Sequence, residues 1–520
     1  MTSPVLAIVL PLVLVFAAVQ QIFCIHSTQS TTSSVEPLQS GITAKLIRRE
    51  QYYADESDAS TPREKLEQEA RRSMLRVQYL ESKRKLAGTA PSPGSSPNPA
   101  AGPAVADWQT PLSDAVPAAY LMEIDLGTPP QTFVAIADSG SDLTWLKCAP
   151  CQSGCDFSST PFQPTKSSSY VPLPCSSTPC QFLNDTNSAC QVSNSAPACP
   201  YGYAYGDGST TTGTLAQDTI TLQTVTGGHQ SVPDYWFGCS TNAASNTSLL
   251  QNNDGLVGLG RGNISFPSQL GKYFGNKFGY CLVNRSLSPG KVEETPLYFG
   301  SDAVPQNETL QYTPLLTNQH ISTFYYVGCT GISLNGNAVS TIPTSAFAIA
   351  PNGTGGLIFD SGTTYTILTQ AIFTPLVGAL QSQITKYPGF TNYNGFDLCY
   401  VASWSQWTDD YGKGVPTITF LISNTTGFVL PVENVWVELD ALTVCLGMQG
   451  TTSDLNIFGN VQQVGFHVLY DLEKQQVGFT KSDCTPPNFS QSDSHRNVVS
   501  LGTPLVSALV SLLLLLALTQ

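Results

Sequence analysis

The stretch AIADSGSDLTWL, Ala135–Leu146, has a second copy in LIFDSGTTYTIL, Leu357–Leu368. In each copy an apolar run ends in an aspartate that is followed by Ser-Gly and a further hydroxyl residue. Asp138 and Asp360 lie 222 residues apart (360 − 138), so the pair indicates two related lobes rather than a short-period repeat. Each copy is typical of a strand that runs into a tight turn, which the glycine permits.

The residues after each aspartate can hold a carboxylate in an apolar setting, because hydroxyl groups donate hydrogen bonds to it. The expected supporting residues are Ser139, Gly140, Ser141, Ser361, Gly362 and Thr363. If the lobes bring the two aspartates together, both cannot ionise cheaply, so they would share a proton. The ionised member could then activate water while the protonated member polarises a peptide carbonyl. The alternative is two duplicated turns with capping aspartates.

Composition sets the class of protein. The chain has 520 residues, of which 41% are hydrophobic and only 12% charged, with 42 Gly and 36 Pro. From Tyr120 onward, short alternating runs are punctuated by Gly, Pro and Asn, which predicts a mainly all-β body of two lobes. The net charge of −14 and the lack of a basic stripe on this body argue against a nucleic-acid partner.

Other catalytic chemistries lack their motifs. The sequence has no Gly-x-Ser-x-Gly, no His-Glu-x-x-His and no Gly-rich phosphate loop. Three histidines of the body, His229, His320 and His467, are scattered. We therefore expect no metal and no cofactor.

A mildly basic segment precedes the acidic body. Residues 45–85 carry 11 of the 23 Lys and Arg against 8 acids, whereas the chain from Asp107 onward holds 12 basic and 28 acidic residues. Thr61, Pro62 and Glu64 form a capping box that predicts a helix start. One apolar face follows, made of Leu66, Ala70, Met74, Val77 and Leu80. A Pro/Ser/Gly linker, residues 88–104, comes next.

This order is that of a zymogen, in which residues 25–106 form a prosegment that docks on an acidic cleft. The alternative is two differently solvated surfaces. The N-terminal lobe would span residues 107–305 and the C-terminal lobe residues 306–485.

Both ends of the chain carry processing signals. The apolar run Val5–Ala18 predicts a signal peptide over residues 1–24. The tail PLVSALVSLLLLLALTQ follows small residues around Ser492–Ser494, which favours a GPI-anchor signal over residues 486–520. A membrane-spanning tail is the alternative. We therefore expect passage through the secretory pathway to the extracellular space or the outer face of the plasma membrane.

Fourteen cysteines fit this compartment. The spacing of Cys148, Cys151 and Cys155 also suits zinc, but the secretory start favours disulfides. Glycosylation sequons support the same location, and they are Asn184, Asn246, Asn263, Asn284, Asn307, Asn352, Asn424 and Asn488.

From Tyr120 to Cys484, about 70% of its length, the chain resembles the pepsin-like aspartic proteases, and more closely the nepenthesin-like branch found in plants. The resemblance rests on ordered motifs: DSGSDLTWLKCAPC, YAYGDGSTTTG, DGLVGLGRGNISFPSQL, KFGYCL, IFDSGTTYTIL, FDLCY and IFGNVQQVGFHVLYDLEKQQVGF. It implies a bilobal fold with pseudo-twofold lobes and a central cleft that binds an extended peptide.

The resemblance also implies residue roles. Asp138 and Asp360 would be the catalytic pair, and Tyr205 the tyrosine of a flap that closes over the substrate, with Gly206, Asp207 and Gly208 in its turn. Trp145 resembles the tryptophan that hydrogen-bonds this tyrosine. The apolar-glycine segments LVGLG and NIFGN resemble strands packed beside each aspartate.

Twelve cysteines are similar to the nepenthesin pattern. The implied pairs are Cys148–Cys151, Cys155–Cys239, Cys175–Cys199, Cys180–Cys190, Cys281–Cys484 and Cys399–Cys445. Two residues depart from the family: Ser139 stands where threonine is usual, and Cys329 where an aliphatic residue is usual, which predicts a buried free thiol.

The sequence thus predicts a monomeric, secreted aspartic endopeptidase that acts on proteins or peptides at acid pH, interacts with its own prosegment and is held at the membrane by a lipid anchor. The alternative is a catalytically silent pepsin-like binding or inhibitor protein, because the fold alone does not secure the function.

Overall fold

The structure is a computed structural model that describes residues 42–48, 61–88, 120–153, 160–183, 190, 198–204, 210–224, 228–244, 253–283, 294–306, 308–422 and 427–484. The predicted signal peptide, the linker after residue 88, the anchor signal, Cys155 and the flap turn Tyr205–Gly208 lie outside these residues. Within them, no helix combines the length and apolar character that a membrane crossing requires.

Most of the regular structure is β. The strands are β1 (Ile42–Arg48), β2 (Tyr120–Leu126), β3 (Gln131–Asp138), β4 (Trp145–Lys147), β5 (Val171–Pro172), β6 (Pro200–Ala204), β7 (Thr210–Thr224), β8 (His229–Ala244), β9 (Gly255–Gly258), β10 (Lys277–Cys281), β11 (Glu294–Phe299), β12 (Gln311–Leu316), β13 (Tyr325–Val327), β14 (Ile332–Leu334), β15 (Asn337–Ala338), β16 (Leu357–Phe359), β17 (Thr366–Thr369), β18 (Gly389–Tyr393), β19 (Phe396–Val401), β20 (Ile418–Phe420), β21 (Phe428–Val429), β22 (Trp436–Asp440), β23 (Thr443–Leu446), β24 (Met448–Thr451), β25 (Asn456–Phe458), β26 (Phe466–Asp471) and β27 (Gln476–Lys481).

Among the described residues, helices are fewer than strands and mostly short. They are α1 (Pro62–Gly88), α2 (Thr178–Phe182), α3 (Phe266–Phe274), α4 (Gln370–Gln383), α5 (Trp404–Asp410), α6 (Val432–Val435) and α7 (Asn460–Gln463).

A sheet joins the two halves of the body. Its neighbouring strands run in the order β2, β1, β11, β10, β26, β27 and β12. Strands from the N-terminal half therefore pair directly with strands near the C-terminus, through β10 and β26. The four-stranded sheets β15–β14–β20–β21 and β18–β19–β23–β22 belong to the second half. The prediction of a mainly β, bilobal body is confirmed.

The strand β1 lies outside that predicted body, yet it forms part of this sheet. It pairs with β11 on one side, from Ile42 opposite Phe299 to Ile47 opposite Glu294, and with β2 on the other. The side chains of Ile42, Ala44 and Leu46 are buried, as expected for alternating residues of a strand that packs on one face. The alternating apolar pattern of ITAKLIR was the signal in the sequence that could have revealed it.

The helix α1 begins as predicted. The amide of Thr61 donates to Glu64 Oε2 at 2.7 Å and the amide of Glu64 donates to Thr61 Oγ1 at 3.2 Å, which completes the capping box. The apolar face is buried in two places. Ala70 packs in a cluster with Tyr365 and Phe396, and Leu80 in a cluster with Tyr326 and Ile358.

Candidate active site

Strand ends place the two aspartates. Asp138 is the last residue of β3, and Asp360 follows β16 directly. The strand β9 runs parallel to β3 with Gly258 opposite Asp138, and β25 runs parallel to β16 with Phe458 opposite Phe359. The two halves therefore repeat one arrangement, in which the expected apolar-glycine segments form the strand beside each aspartate.

The turn after each aspartate supplies the expected hydrogen bonds. The amide of Gly140 donates to Asp138 Oδ1 at 2.9 Å, and that of Gly362 donates to Asp360 Oδ1 at 3.0 Å. The hydroxyl of Ser141 donates to Asp138 Oδ2, and that of Thr363 to Asp360 Oδ2 at 2.6 Å. Each carboxylate is thus fixed at both oxygens by its own turn.

A serine links the two turns. Ser139 Oγ lies 3.4 Å from Asp360 Oδ1, to which it donates, and it accepts a hydrogen bond from the amide of Ser361 at 2.9 Å. Ser139 and Ser361 are both buried. The hydroxyl of Ser139 therefore supports the aspartate of the opposite lobe.

The two glycines also face the opposite aspartate. A Cβ atom placed on Gly362 would lie 2.8 Å from Asp138 Oδ1, and one placed on Gly140 would lie 3.2 Å from Asp360 Oδ1. Both distances are shorter than ordinary carbon–oxygen contacts. The close approach of the two turns therefore requires glycine at these positions.

The guanidinium of Arg76, in α1, contacts both aspartates. Its Nη2 donates to Asp138 Oδ1 and its Nε donates to Asp360 Oδ2 at 3.2 Å. Burial alone would lower the pKa of Arg76, but the negative charges of Asp138 and Asp360 outweigh it and the pKa lies above its ordinary value. One side chain reaches both carboxylates, so the structure brings the predicted pair together in a buried site (Asp138 1% exposed, Asp360 0%).

Sequence reasoning missed Arg76 as an individual residue. It predicted a basic segment next to an acidic cleft, but not which cation enters it. A signal was present, because Arg76 lies four residues before Leu80 and therefore on the helix face that carries the apolar residues.

The flap is described in part. The strands β6 and β7, which flank the segment containing Tyr205, are antiparallel, with Ala204 opposite Thr210. Trp145 is fully buried in β4, next to β8 and β9. The predicted contact between Trp145 and Tyr205 stays a prediction, because Tyr205 lies outside the described residues.

Two implied disulfides are present and four pairings need correction. The bonds Cys281–Cys484 and Cys399–Cys445 form as expected. Cys148, however, bonds to Cys239, because β4 runs parallel to β8 and brings their Cα atoms to 5.4 Å. The implied pairs Cys148–Cys151 and Cys155–Cys239 are therefore wrong; Cys151 is itself in a disulfide.

The other correction concerns the Cys-rich segment before the flap. The structure contains the bonds Cys175–Cys190 and Cys180–Cys199 in place of Cys175–Cys199 and Cys180–Cys190. The sulfurs of Cys175, Cys180 and Cys190 all lie within 4.8 Å of one another. As disulfides, they have no thiolate to offer a metal.

Cys329 is a buried free cysteine, as predicted. Burial raises the pKa of its thiol to about 12. Of the eight sequons, Asn263 and Asn352 are exposed; the asparagines of the other six, Asn184, Asn246, Asn284, Asn307, Asn424 and Asn488, lie outside the described residues.

Comparison with known proteins agrees with this geometry. The Xylanase inhibitor N-terminal family matches residues 120–301, and the Xylanase inhibitor C-terminal family matches residues 324–481. Aspartic proteinase nepenthesin-1 of Nepenthes gracilis is 38% identical over 369 residues, which cover 70% of this chain and 78% of the relative. Aspartyl protease 25 of Oryza sativa subsp. japonica is 32% identical over 448 residues, covering 83% and 94%.

Solved structures share the fold. The crystal structure of edgp aligns with a TM-score of 0.55 at 23% identity, over 71% of this chain and 92% of that one. Basic 7S globulin from soybean aligns with a TM-score of 0.53 at 20% identity, over 71% and 96%. Each half of the body has an Asp-Ser-Gly turn at the end of a strand, and a relative named as an aspartic proteinase is 38% identical. The chain therefore belongs to the pepsin-like aspartic protease family.

Proposed function

We propose that the chain is the precursor of an aspartic endopeptidase and that its prosegment, which includes β1 and α1, holds the enzyme inactive. One observation carries this proposal: a single guanidinium occupies the space between two buried aspartates whose hydrogen-bonding turns are complete. A substrate carbonyl and a water molecule would need the same space.

The chemistry follows from the supports. After Arg76 leaves, two adjacent carboxylates without a counter-ion would share one proton. The ionised carboxylate takes a proton from the water molecule while the water oxygen attacks the peptide carbonyl carbon. At the same time the protonated carboxyl donates its proton to the carbonyl oxygen. Collapse of the tetrahedral intermediate returns a proton to the leaving amine. Ser139, Ser141 and Thr363 hold the carboxylates through these steps.

Activation by acid follows from the charges. Arg76 stays protonated throughout the physiological range, since its pKa is raised from a value that is already high. The ion pairs therefore weaken only when the aspartates take up protons. We expect the prosegment to be held near neutral pH and released in acid, the range in which the shared proton also permits catalysis.

Hydrolysis of a denatured protein substrate tests the proposal. The full chain would be expressed, acid-treated and assayed at about pH 4, beside the variant Asp138→Asn and with pepstatin. The control is Asp234→Asn, an exposed residue of β8 whose carboxylate contacts Gln217. Turnover that survives in the control but is lost in Asp138→Asn supports the proposal. No turnover from processed wild-type protein would sink it.

A second candidate is a catalytically silent binding or inhibitor protein. The observation in its favour is that the two matching families are described as xylanase inhibitors. The complete pair of aspartates, with every support on both sides, favours the enzyme. The same assay separates them, because a silent protein would bind a protein partner at fixed stoichiometry without turnover.

The cellular location is also a proposal. We expect a secreted, glycosylated protein with a GPI anchor, on the basis of its two ends and its sequons. Release of the protein from intact cells by a phosphatidylinositol-specific phospholipase C would support the anchor, and retention after that treatment would favour a spanning tail.

A further inference from the structure

A second arginine of α1 is buried against the C-terminal lobe, away from the two catalytic aspartates. The Nη2 atom of Arg84 donates to Asp454 Oδ1, and the side chain of Arg84 is only 3% exposed. The side chain of Asp454 remains 42% exposed even with the helix in place. The carboxylate is therefore at the protein surface and becomes more accessible when α1 leaves.

Arg84 lies on the same face of α1 as Arg76. Arg76, Leu80 and Arg84 are spaced by four residues, which places them on one face of α1. Leu80 Cδ2 would lie 3.2 Å from a Cβ atom on Gly140, so Leu80 occupies the space next to the catalytic pair. Arg84 is separated from Arg76 by eight residues, which is about 12 Å along the helix axis (8 × 1.5 Å).

The strands give a second measure of this distance. Asp454 precedes Phe458 by four residues, and Phe458 lies opposite Phe359, the residue before Asp360. Asp454 lies just before β25, and four residues of extended chain span roughly 13 Å at most, an upper bound that the distance along the helix does not exceed. A peptide bound in extended form would cover that distance in about four residues.

The surface between the two aspartates and Asp454 suits the aliphatic part of an arginine or lysine side chain. Tyr326 lies opposite Ile358 on neighbouring strands, and both belong to the cluster that buries Leu80. The Tyr326 hydroxyl accepts a hydrogen bond from Asn318 Nδ2 at 3.0 Å. Burial, opposed in part by that hydrogen bond and by Arg84, raises the pKa of Tyr326 to about 12, so this wall stays uncharged.

We propose that, in the mature enzyme, Asp454 forms a subsite that binds an arginine or lysine side chain of the substrate about three to four residues from the scissile bond. Arg84 of the prosegment occupies this subsite in the precursor, with its stem along the apolar wall and its guanidinium on the carboxylate. A charge-assisted hydrogen bond of this kind gives specificity for a cation over a neutral side chain of similar length. The proposal rests on the proposed function, because it assigns selectivity to the same cleft.

Two sets of peptides test the subsite. One neutral, cleavable core sequence carries arginine at a single position, moved one residue at a time from five residues before the scissile bond to five after it, and each peptide is paired with its glutamine counterpart. We expect arginine to raise kcat/KM by about tenfold at one or two adjacent positions, three or four residues away on one side only. In Asp454→Asn this preference should vanish, so that each arginine peptide and its glutamine counterpart are cleaved with equal kcat/KM.

Asp440→Asn is the matched control. Asp440 also forms an ion pair with α1, through Arg63 near the start of the helix, and its side chain is 38% exposed. Its removal should leave the arginine preference intact. A preference that persists in Asp454→Asn, or that is absent in wild type while neutral peptides are still cleaved, would overturn the subsite and leave the proposed function standing.

A binding measurement decides the case in which no peptide is cleaved. The same peptides with a reduced, uncleavable bond are titrated into the processed protein, and the Kd of each arginine peptide is compared with that of its glutamine counterpart. Tighter binding of arginine that is lost in Asp454→Asn supports the subsite even if the endopeptidase proposal fails. Equal Kd values would show that Arg84 and Asp454 serve only to hold the helix.

Discussion

The amide of Ser361 donates a hydrogen bond to Ser139 Oγ across 2.9 Å, from the turn of one lobe to the turn of the other. The same oxygen is 3.4 Å from Asp360 Oδ1. Ser139 stands where the family usually has threonine, and its hydroxyl still bridges the two halves of the site. A lost methyl group does not remove this bridge, because the contacts pass through the oxygen.

Replacing Ser139 by alanine tests the bridge. Ser139→Ala would leave the buried amide of Ser361 without this acceptor, which costs about 1–3 kcal/mol in the free energy of unfolding. We expect kcat to fall by about 10- to 100-fold as the two aspartates lose their relative position. Chemical unfolding and hydrolysis of one peptide substrate measure the two effects.

Ser139→Thr is the control for that variant, since it keeps the hydroxyl and adds the methyl group. It should match wild type in both measurements or exceed it. An alanine variant with wild-type stability and activity would show that the bridge has no role.

Removing the cation between the aspartates should weaken latency. In Arg76→Met the two carboxylates lose the group that neutralises them in the precursor, so the helix should leave at a higher pH than in wild type. Binding of a fluorescent pepstatin derivative to the uncleaved precursor, measured across the pH range, reports this opening. Arg71→Met is the control, because Arg71 is more than half exposed and lies 4.0 Å from Glu67 on its own helix. Identical pH profiles for Arg76→Met and wild type would refute this role of Arg76.

The arrangement of the two aspartates could be predicted because the contacts that hold each of them are local. A carboxylate at a strand end needs a glycine turn and nearby hydroxyls, and all of these lie within three residues of Asp138 and Asp360. The start of α1 was predictable for the same reason, since Thr61 and Glu64 satisfy each other's amides within one turn.

What could not be predicted depends on contacts far apart in sequence. The strand β1 requires partners from residues 120–122 and 294–299 before its place in the sheet exists. The bond between Cys148 and Cys239 depends on the parallel pairing of β4 with β8, 91 residues apart. Nothing local to either cysteine indicates that pairing.

Cys329 should be inert until the protein unfolds. Its thiol is buried, and burial raises its pKa to about 12, so little thiolate forms near neutral pH. Iodoacetamide at about pH 8 should leave Cys329 unlabelled in the folded protein and should label it after denaturation without reductant. An ordinary thiol, with a pKa of about 8.5, reacts at this pH. Peptide mapping identifies the labelled residue. Labelling of Cys329 before unfolding would contradict the buried position.

His467 should make the folded body less stable as the pH falls. Its Nε2 donates to the carbonyl oxygen of Ala303 at 2.8 Å, and burial lowers its pKa, opposed in part by that hydrogen bond and by the charge of Glu308. Below the ordinary histidine pKa of about 6.5, the unfolded chain binds a proton that the folded protein does not, so the free energy of unfolding decreases with decreasing pH.

The variant His467→Gln isolates this contribution, because glutamine can donate to Ala303 without titrating. Urea unfolding followed by tryptophan fluorescence at several values between about pH 7 and 5 should give a shallower loss of stability in His467→Gln than in wild type. The exposed His229 provides the matched control, and His229→Gln should retain the wild-type slope. The acid sensitivity of the folded body would then come in part from a buried histidine. Equal slopes in wild type and His467→Gln would assign that sensitivity to other groups.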